Sequence, residues 1–264
     1  MNVVDKRIRH VKSHIDTFES VDFNEQCIQN LLSGSGSRTG SLGNLVLYSH
    51  AMAIYSWFAN KDIRATKNWF FTMASLQLAK MSQMSLPQRR GAFSLSDASA
   101  AAYSDYPGVR RKIGGVLEPL YSQEGDDPIF DFLAVQAGLI LRGEIESARS
   151  ALERTINNVS FGASRRAVDI CVFDQIHHGS DDDLRRSILR ICELTDQRLD
   201  MEGGYTEGLM NSDATFYAKL CRIAGRSIDI EHPMIPNAWL EDQEVMDPVF
   251  MLPRLINVVF ESWR

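Results

Sequence analysis

Two acid-rich runs, Asp126-Asp127-x-x-x-Asp131 and Asp181-Asp182-Asp183, have the composition of a catalytic metal site. Carboxylates grouped in this way hold Mg²⁺ in diphosphate chemistry when two such motifs face each other across a helical cavity. Here both runs fall at expected helix starts, where acids favour the positive end of the helix dipole. Capping is therefore the reading taken, and a metal-dependent helical enzyme using Asp126, Asp127, Asp131 and Asp181 to Asp183 stands as a minor alternative. His10 and His14, four apart, share one helical face as zinc ligands do. No Glu, Cys or third His completes the pattern nearby in the sequence, and Arg7, Arg9 and Lys12 make that face cationic. A solvated pair is expected. His177-His178 precede Gly179 at a helix end, where an imidazolium suits the carbonyl-rich terminus.

The glycine-rich stretch from Ser33 to Gly43 lacks the lysine and the preceding strand of a phosphate-binding loop. Cys27, Cys171, Cys192 and Cys221 are far apart, with no C-x-x-C spacing, and read as small buried hydrophobes rather than metal ligands or disulfide partners. No catalytic residue, metal site or cofactor is expected, and the chain is not read as an enzyme.

The elements that position these residues are helical. Apolar Val4, Ile8, Val11, Ile15 and Phe18 recur at spacings of four and three, which is one helical face. A short helix is expected over 24–32. It is followed by a flexible loop, Ser33-Gly34-Ser35-Gly36-Ser37-Arg38-Thr39-Gly40, with no apolar content. Long helices are expected over 42–59 and 62–82, with Asp62 as an N-cap. Tyr55, Trp57, Phe58, Trp69, Phe70 and Phe71 concentrate on this hairpin and read as core, although Phe70 and Phe71 cannot both face the same way. Shorter helices are expected over 95–104 and 108–121, then an acidic turn, Glu124-Gly125-Asp126-Asp127-Pro128. A hairpin over 129–141 and 145–159 follows, then helices over 164–177, 182–199 and 207–225, with Ser180 or Asp181 as an N-cap. Strand alternation is confined to four residues, Ser227 to Ile230. The fold class is all-α, an irregular stack of antiparallel helical hairpins. It is read as a single domain over 1–264, with a possible subdivision into 1–124 and 125–264.

The two clearest hairpins align: Ala59-Asn60-Lys61-Asp62-Ile63-Arg64-Ala65-Thr66 against Leu141-Arg142-Gly143-Glu144-Ile145-Glu146-Ser147-Ala148. Each has a small turn, an acid, an Ile, and a small residue three positions later. This resembles tetratricopeptide-like helix pairs, in which the small residue lets two helices approach closely. The full repeat consensus is missing, and the 82-residue offset is not one repeat length, so an irregular stack is preferred to a true array.

The net charge of −6 argues mildly against nucleic-acid binding, and its distribution is uneven. Residues 1–100 carry 11 Lys/Arg against 7 Asp/Glu, a net +4, whereas the remainder carries 17 against 27, a net −10. From Asp200 to Asp247 ten acids face three bases. Such a region can steer a basic partner at low salt or serve as a solvated surface. Two segments in it are expected to be non-helical, Gly203 to Glu207 and Glu231 to Trp239. They read either as plain helix connections or as a protein-binding edge. As an edge, they make Tyr205, Glu207, Glu231, His232, Met234, Trp239, Glu241 and Asp242 the candidate partner-binding residues. No apolar run is long enough to cross a membrane. Residues 1–7 lack a basic stretch followed by an apolar one, so a cytoplasmic location is expected.

Three stretches carry a family resemblance. They are Ala51-Met52-Ala53-Ile54-Tyr55-Ser56-Trp57-Phe58, Gly143-Glu144-Ile145-Glu146-Ser147-Ala148-Arg149, and Arg222-Ile223-Ala224-Gly225-Arg226-Ser227-Ile228-Asp229-Ile230 leading into Pro233-Met234-Ile235-Pro236 and Trp239. Together they resemble the all-α immunity proteins of bacterial polymorphic toxin systems, closest to the immunity protein 49 family. The resemblance implies a cytoplasmic protein that binds a cognate toxin and blocks its active site or its assembly. It carries over no catalytic residues and no toxin-contacting residues. The alternative is a tetratricopeptide-like scaffold or regulator that binds a peptide or protein partner.

Overall fold

The computed structural model describes residues 2–20, 22–85, 88–89, 95–121, 128–156, 167–194, 204–241 and 247–261. Every regular element among them is helical, as the periodicity predicts. None of these helices is long and apolar enough to cross a membrane. The chain divides into two compact units: Met1–Val109, Gly204–Leu209 and Gln243–Arg264 form one, and Arg110–Gly203 and Met210–Asp242 form the other.

The first unit is built around one helix. Its elements are α1 (Val3–Ser20), α2 (Phe23–Ser33), α3 (Arg38–Phe58), α4 (Ile63–Ser82) and α5 (Leu95–Tyr103), with a 3₁₀ turn at Pro253–Leu255 and the short α13 (Ile256–Phe260). Helices α3, α5 and α13 all pack on α4, and every residue of α4 from Thr66 to Ala79 is buried. This settles the Phe70-Phe71 problem. Both rings are in the core, 2% and 3% exposed, because α4 has no solvent face over that stretch. Two of its buried hydroxyls bond locally: Thr72 and Ser75 donate to the carbonyls of Asn68 and Phe71, one turn back. Lys67 of α4 forms an ion pair with Asp105, both side chains 1% exposed.

The connection between α2 and α3 is shorter than its composition predicts. Gly34 takes the left-handed conformation at φ +71° and ends α2. Ser37 then accepts a hydrogen bond from the Gly40 N–H, so Arg38, Thr39 and Gly40 are already helical. The serine that reads as linker is an N-cap.

The second unit contains α6 (Pro107–Tyr121) from Arg110 onward, α7 (Pro128–Arg142), α8 (Ile145–Ile156), α9 (Ala167–His178), α10 (Asp181–Leu194), α11 (Ser212–Ile223) and the single turn α12 (Asn237–Leu240). Phe132 of α7, Phe173 of α9 and Tyr217 of α11 meet edge to face, at centroid separations of 6.3 and 5.5 Å, and join three helices through one aromatic chain. Helices α6 and α7 touch through backbone. A Cβ on Gly114 would stand 2.4 Å from the carbonyl oxygen of Gly138, a contact only glycine permits.

The two aligned hairpin turns share a backbone pattern. Lys61 and Gly143, which occupy equivalent places in the alignment, are both left-handed, at φ +56° and +80°. The acid that follows starts the next helix in each: the Asp62 carbonyl accepts from Thr66 and that of Glu144 from Ala148. Thr66 and Ala148, the small residues of the pattern, are fully buried.

Candidate partner-binding segments

In the first unit, the segment 204–209 is fastened by Arg7 of α1. The Arg7 Nε donates to the Glu207 carbonyl at 2.8 Å, and its Nη2 donates to the Gly204 carbonyl at 2.7 Å. The same Nη2 stands 3.0 Å from the Glu207 carboxylate. Gly208 is left-handed and passes close to the Arg7 side chain. Tyr205 is half-buried, its ring edge-on to His14 at 5.3 Å and to His50 at 5.4 Å. Burial raises the Tyr205 phenol pKa and lowers that of His50 to about 4. The candidates Tyr205 and Glu207 thus meet Arg7, His14 and His50, which sequence reasoning did not connect with them. Nothing local could have done so, because the contacts of Arg7 span about 200 positions of chain.

In the second unit, the segment 226–241 leaves α11 through Gly225, left-handed at φ +83°. Ile228 and Ile230 point inward, 1% and 2% exposed, while Asp229 and Glu231 between and after them are exposed. This in-and-out alternation belongs to an extended chain with one face on the core. Three anchors hold the backbone. Arg226 reaches the carbonyls of Gln175, Ile176 and Gly179 at 2.8–3.0 Å and the Asp181 carboxylate at 2.7 Å. The Asn211 N–H donates to the Met234 carbonyl at 2.7 Å. Lys219, fully buried on α11, donates to the Leu240 carbonyl at 3.1 Å. His232 accepts the Met234 N–H on its Nδ1 and so fixes the bend between them.

Among the candidates here, Glu231 and Glu241 are exposed, and His232 and Met234 are half-exposed. Trp239, expected at the binding edge, is instead a core side chain, 1% exposed. The turn of α12 directs it inward where α12 packs on α11. Asp242 lies outside the described residues. The candidates therefore fall into two groups, Tyr205 and Glu207 in the first unit and Glu231, His232, Met234 and Glu241 in the second.

The Asp181–Asp183 run has ordinary partners. Asp181 pairs with Arg226, Asp182 with Arg185 and Asp183 with Arg186. Ser180 caps α10, accepting the Asp183 N–H and donating to its carboxylate. Asp126 and Asp127 lie outside the described residues, and Asp131 is buried. Of the four cysteines, Cys27 and Cys221 are buried as expected, and Cys171 and Cys192 are half-exposed. Cys171 lines an open groove of about 500 Å³ between α9 and α10, with Val168, Gln175, Arg186, Ser187 and Arg190.

Compared with models of known families, with curated proteins and with solved structures, the chain matches none.

Proposed function

We propose that this protein is an immunity protein that binds a cognate bacterial toxin and occludes its active site. The observation that carries this reading is the acidic edge of the segment 226–241. Residues 227–241 contain three carboxylates and no Lys or Arg. The exposed Asp229, Glu231 and Glu241 stand on a backbone fixed from behind by Arg226, Asn211 and Lys219. A fixed edge loses little conformational entropy on binding, which favours tight association. Carboxylates on it would attract a basic toxin and speed its encounter. The all-helical hairpin architecture and the three stretches that resemble immunity proteins support the same reading, and an interface of roughly 1,600 Å² would suffice for a stable one-to-one complex.

The test starts with affinity capture from the source cells. One stoichiometric partner, encoded next to this gene and lethal when expressed alone, is the expected result, with co-expression of this chain restoring growth. Association rates then probe the edge: Glu231→Lys and Glu241→Lys should each slow binding on the order of threefold to tenfold at low salt, and much less at high salt. Several unrelated partners would sink the immunity reading, and rates untouched by charge reversal would sink the acidic edge as the binding surface.

A peptide-binding scaffold is the second reading, and one observation favours it. Asn68 Oδ1 and Thr72 Oγ1, one turn apart on α4, accept the backbone N–H groups of Val249 and Met251 at 3.0 and 2.9 Å. A helix face that holds an extended chain by its amides in this way is the chemistry of a peptide groove. Here the occupant is the chain's own segment.

A further inference from the structure

We propose that His10 and His14 form a binding site for one borderline divalent transition-metal ion, of the class Zn²⁺, Ni²⁺ or Cu²⁺. This does not rest on the toxin-binding reading and concerns different residues. Both side chains are exposed on α1, one turn apart. Their Nε2 atoms are 3.3 Å from each other, with the rings edge to face at 87° and centroids 4.6 Å apart. Two imidazole nitrogens bound to one tetrahedral zinc at the usual bond length are about 3.3–3.4 Å apart. The pair therefore already has the spacing of one edge of that tetrahedron. Without metal, the same atoms can share one proton, a long N–H···N contact that keeps the two rings converging.

The surroundings keep this arrangement in place. The His14 ring is edge-on to Tyr205, which is wedged in turn against His50, and Arg7 ties the backbone on either side of Tyr205 to α1. Two cations beside the pair have carboxylate partners: Arg7 has Glu207 and Lys12 has Asp16. That lessens the repulsion a metal ion would meet, while Lys6, one turn before His10, and the exposed Arg9 add to it. Among the described residues no group of three imidazole, thiol or carboxylate side chains forms a metal site, so the other positions fall to water. Imidazole donors of this kind select zinc, nickel and copper over magnesium and calcium.

Calorimetric titration of the untagged full-length chain with Zn²⁺, Ni²⁺ and Mg²⁺ tests the proposal. One equivalent of Zn²⁺ or Ni²⁺ should bind and Mg²⁺ should not. His10→Ala and His14→Ala should each weaken binding at least about tenfold, since each removes one of two ligands. His178→Ala, in the other unit, should leave it unchanged. His10 and His14 are exposed, so both variants are expected to fold, and far-UV circular dichroism checks this. As a second readout, Zn²⁺ should shift the imidazole ¹⁵N resonances of His10 and His14 and no others. Binding that survives both substitutions, or no binding at millimolar Zn²⁺, overturns the site.

Discussion

His177 and His178 are neighbours in sequence with opposite environments. His178 is exposed and lies 3.1 Å from Asp174 and 3.6 Å from Glu153. His177 is 9% exposed, its Nε2 3.3 Å from the Gln136 amide oxygen, and its Nδ1 meets no partner among the described residues. Burial, with His178 and Arg149 adding to it against Glu146 and Asp174, lowers the His177 pKa to about 4. The folded state therefore holds the neutral ring, while the unfolded chain takes up a proton below the ordinary pKa of 6.5. The folded state has its full stability above that pH. It loses stability as pH falls from 6.5 towards 4, by roughly 3 kcal/mol at most. His177→Gln should flatten the pH dependence of urea-unfolding free energy over that interval, and an unchanged slope would remove His177 as its source. The sequence marks both histidines as helix-end residues, but it cannot show which of two adjacent side chains turns inward. That depends on where α7 and α8 lie against α9.

At the scale of elements, the helices are legible because apolar spacing and caps are local. Asp62, the N-cap that the sequence predicts, caps α4, its carboxylate accepting the Ala65 N–H at 2.9 Å. The likeness of the turns around Lys61 and Gly143 extends to their backbone conformation. Long-range fastenings are not local, and Arg226 is the clearest of them. In the sequence it is one basic residue in an acidic third. In the structure its guanidinium acts as a C-cap for α9, donating to the terminal carbonyls of Gln175, Ile176 and Gly179, the first of which also accepts the Gly179 N–H, and it pairs with the first residue of α10. Arg226→Ala should lower unfolding free energy by about 2–4 kcal/mol, the cost of leaving several half-buried acceptors without their charged donor. Arg226→Lys should recover less than half, because an ammonium cannot span the same fork. A urea midpoint that moves without a change of slope is the expected signature; a shift of less than about 0.5 kcal/mol would mean that water replaces the guanidinium.

At the scale of the molecule, the uneven charge is legible in the sequence because formal charge needs no fold, whereas the partition of the chain is not. A subdivision at residue 124 is one that the sequence permits, yet the first unit recruits residues 204–209 and the C-terminal stretch from 243. The reason lies in the burial of α4. A helix with no solvent face must be covered on every side, and α3 and α5 leave part of it to segments about 180 residues away. Val249 and Met251 bond to Asn68 and Thr72, and Phe250, Leu255 and Val259 are buried with them. A fragment of residues 1–124 would keep its local helices while uncovering polar and apolar side chains of α4 that the folded chain buries. It should retain far-UV circular dichroism, lose its near-UV signal and bind a hydrophobic dye, as a compact state without fixed packing does. Adding residues 247–261 as a separate peptide should restore near-UV signal in a saturable way, whereas a peptide with Phe250, Leu255 and Val259 changed to Ser should not. If fragment 1–124 is native-like by itself, the C-terminal stretch is a cover that α4 does not need, and the interleaved division of the chain has no energetic weight.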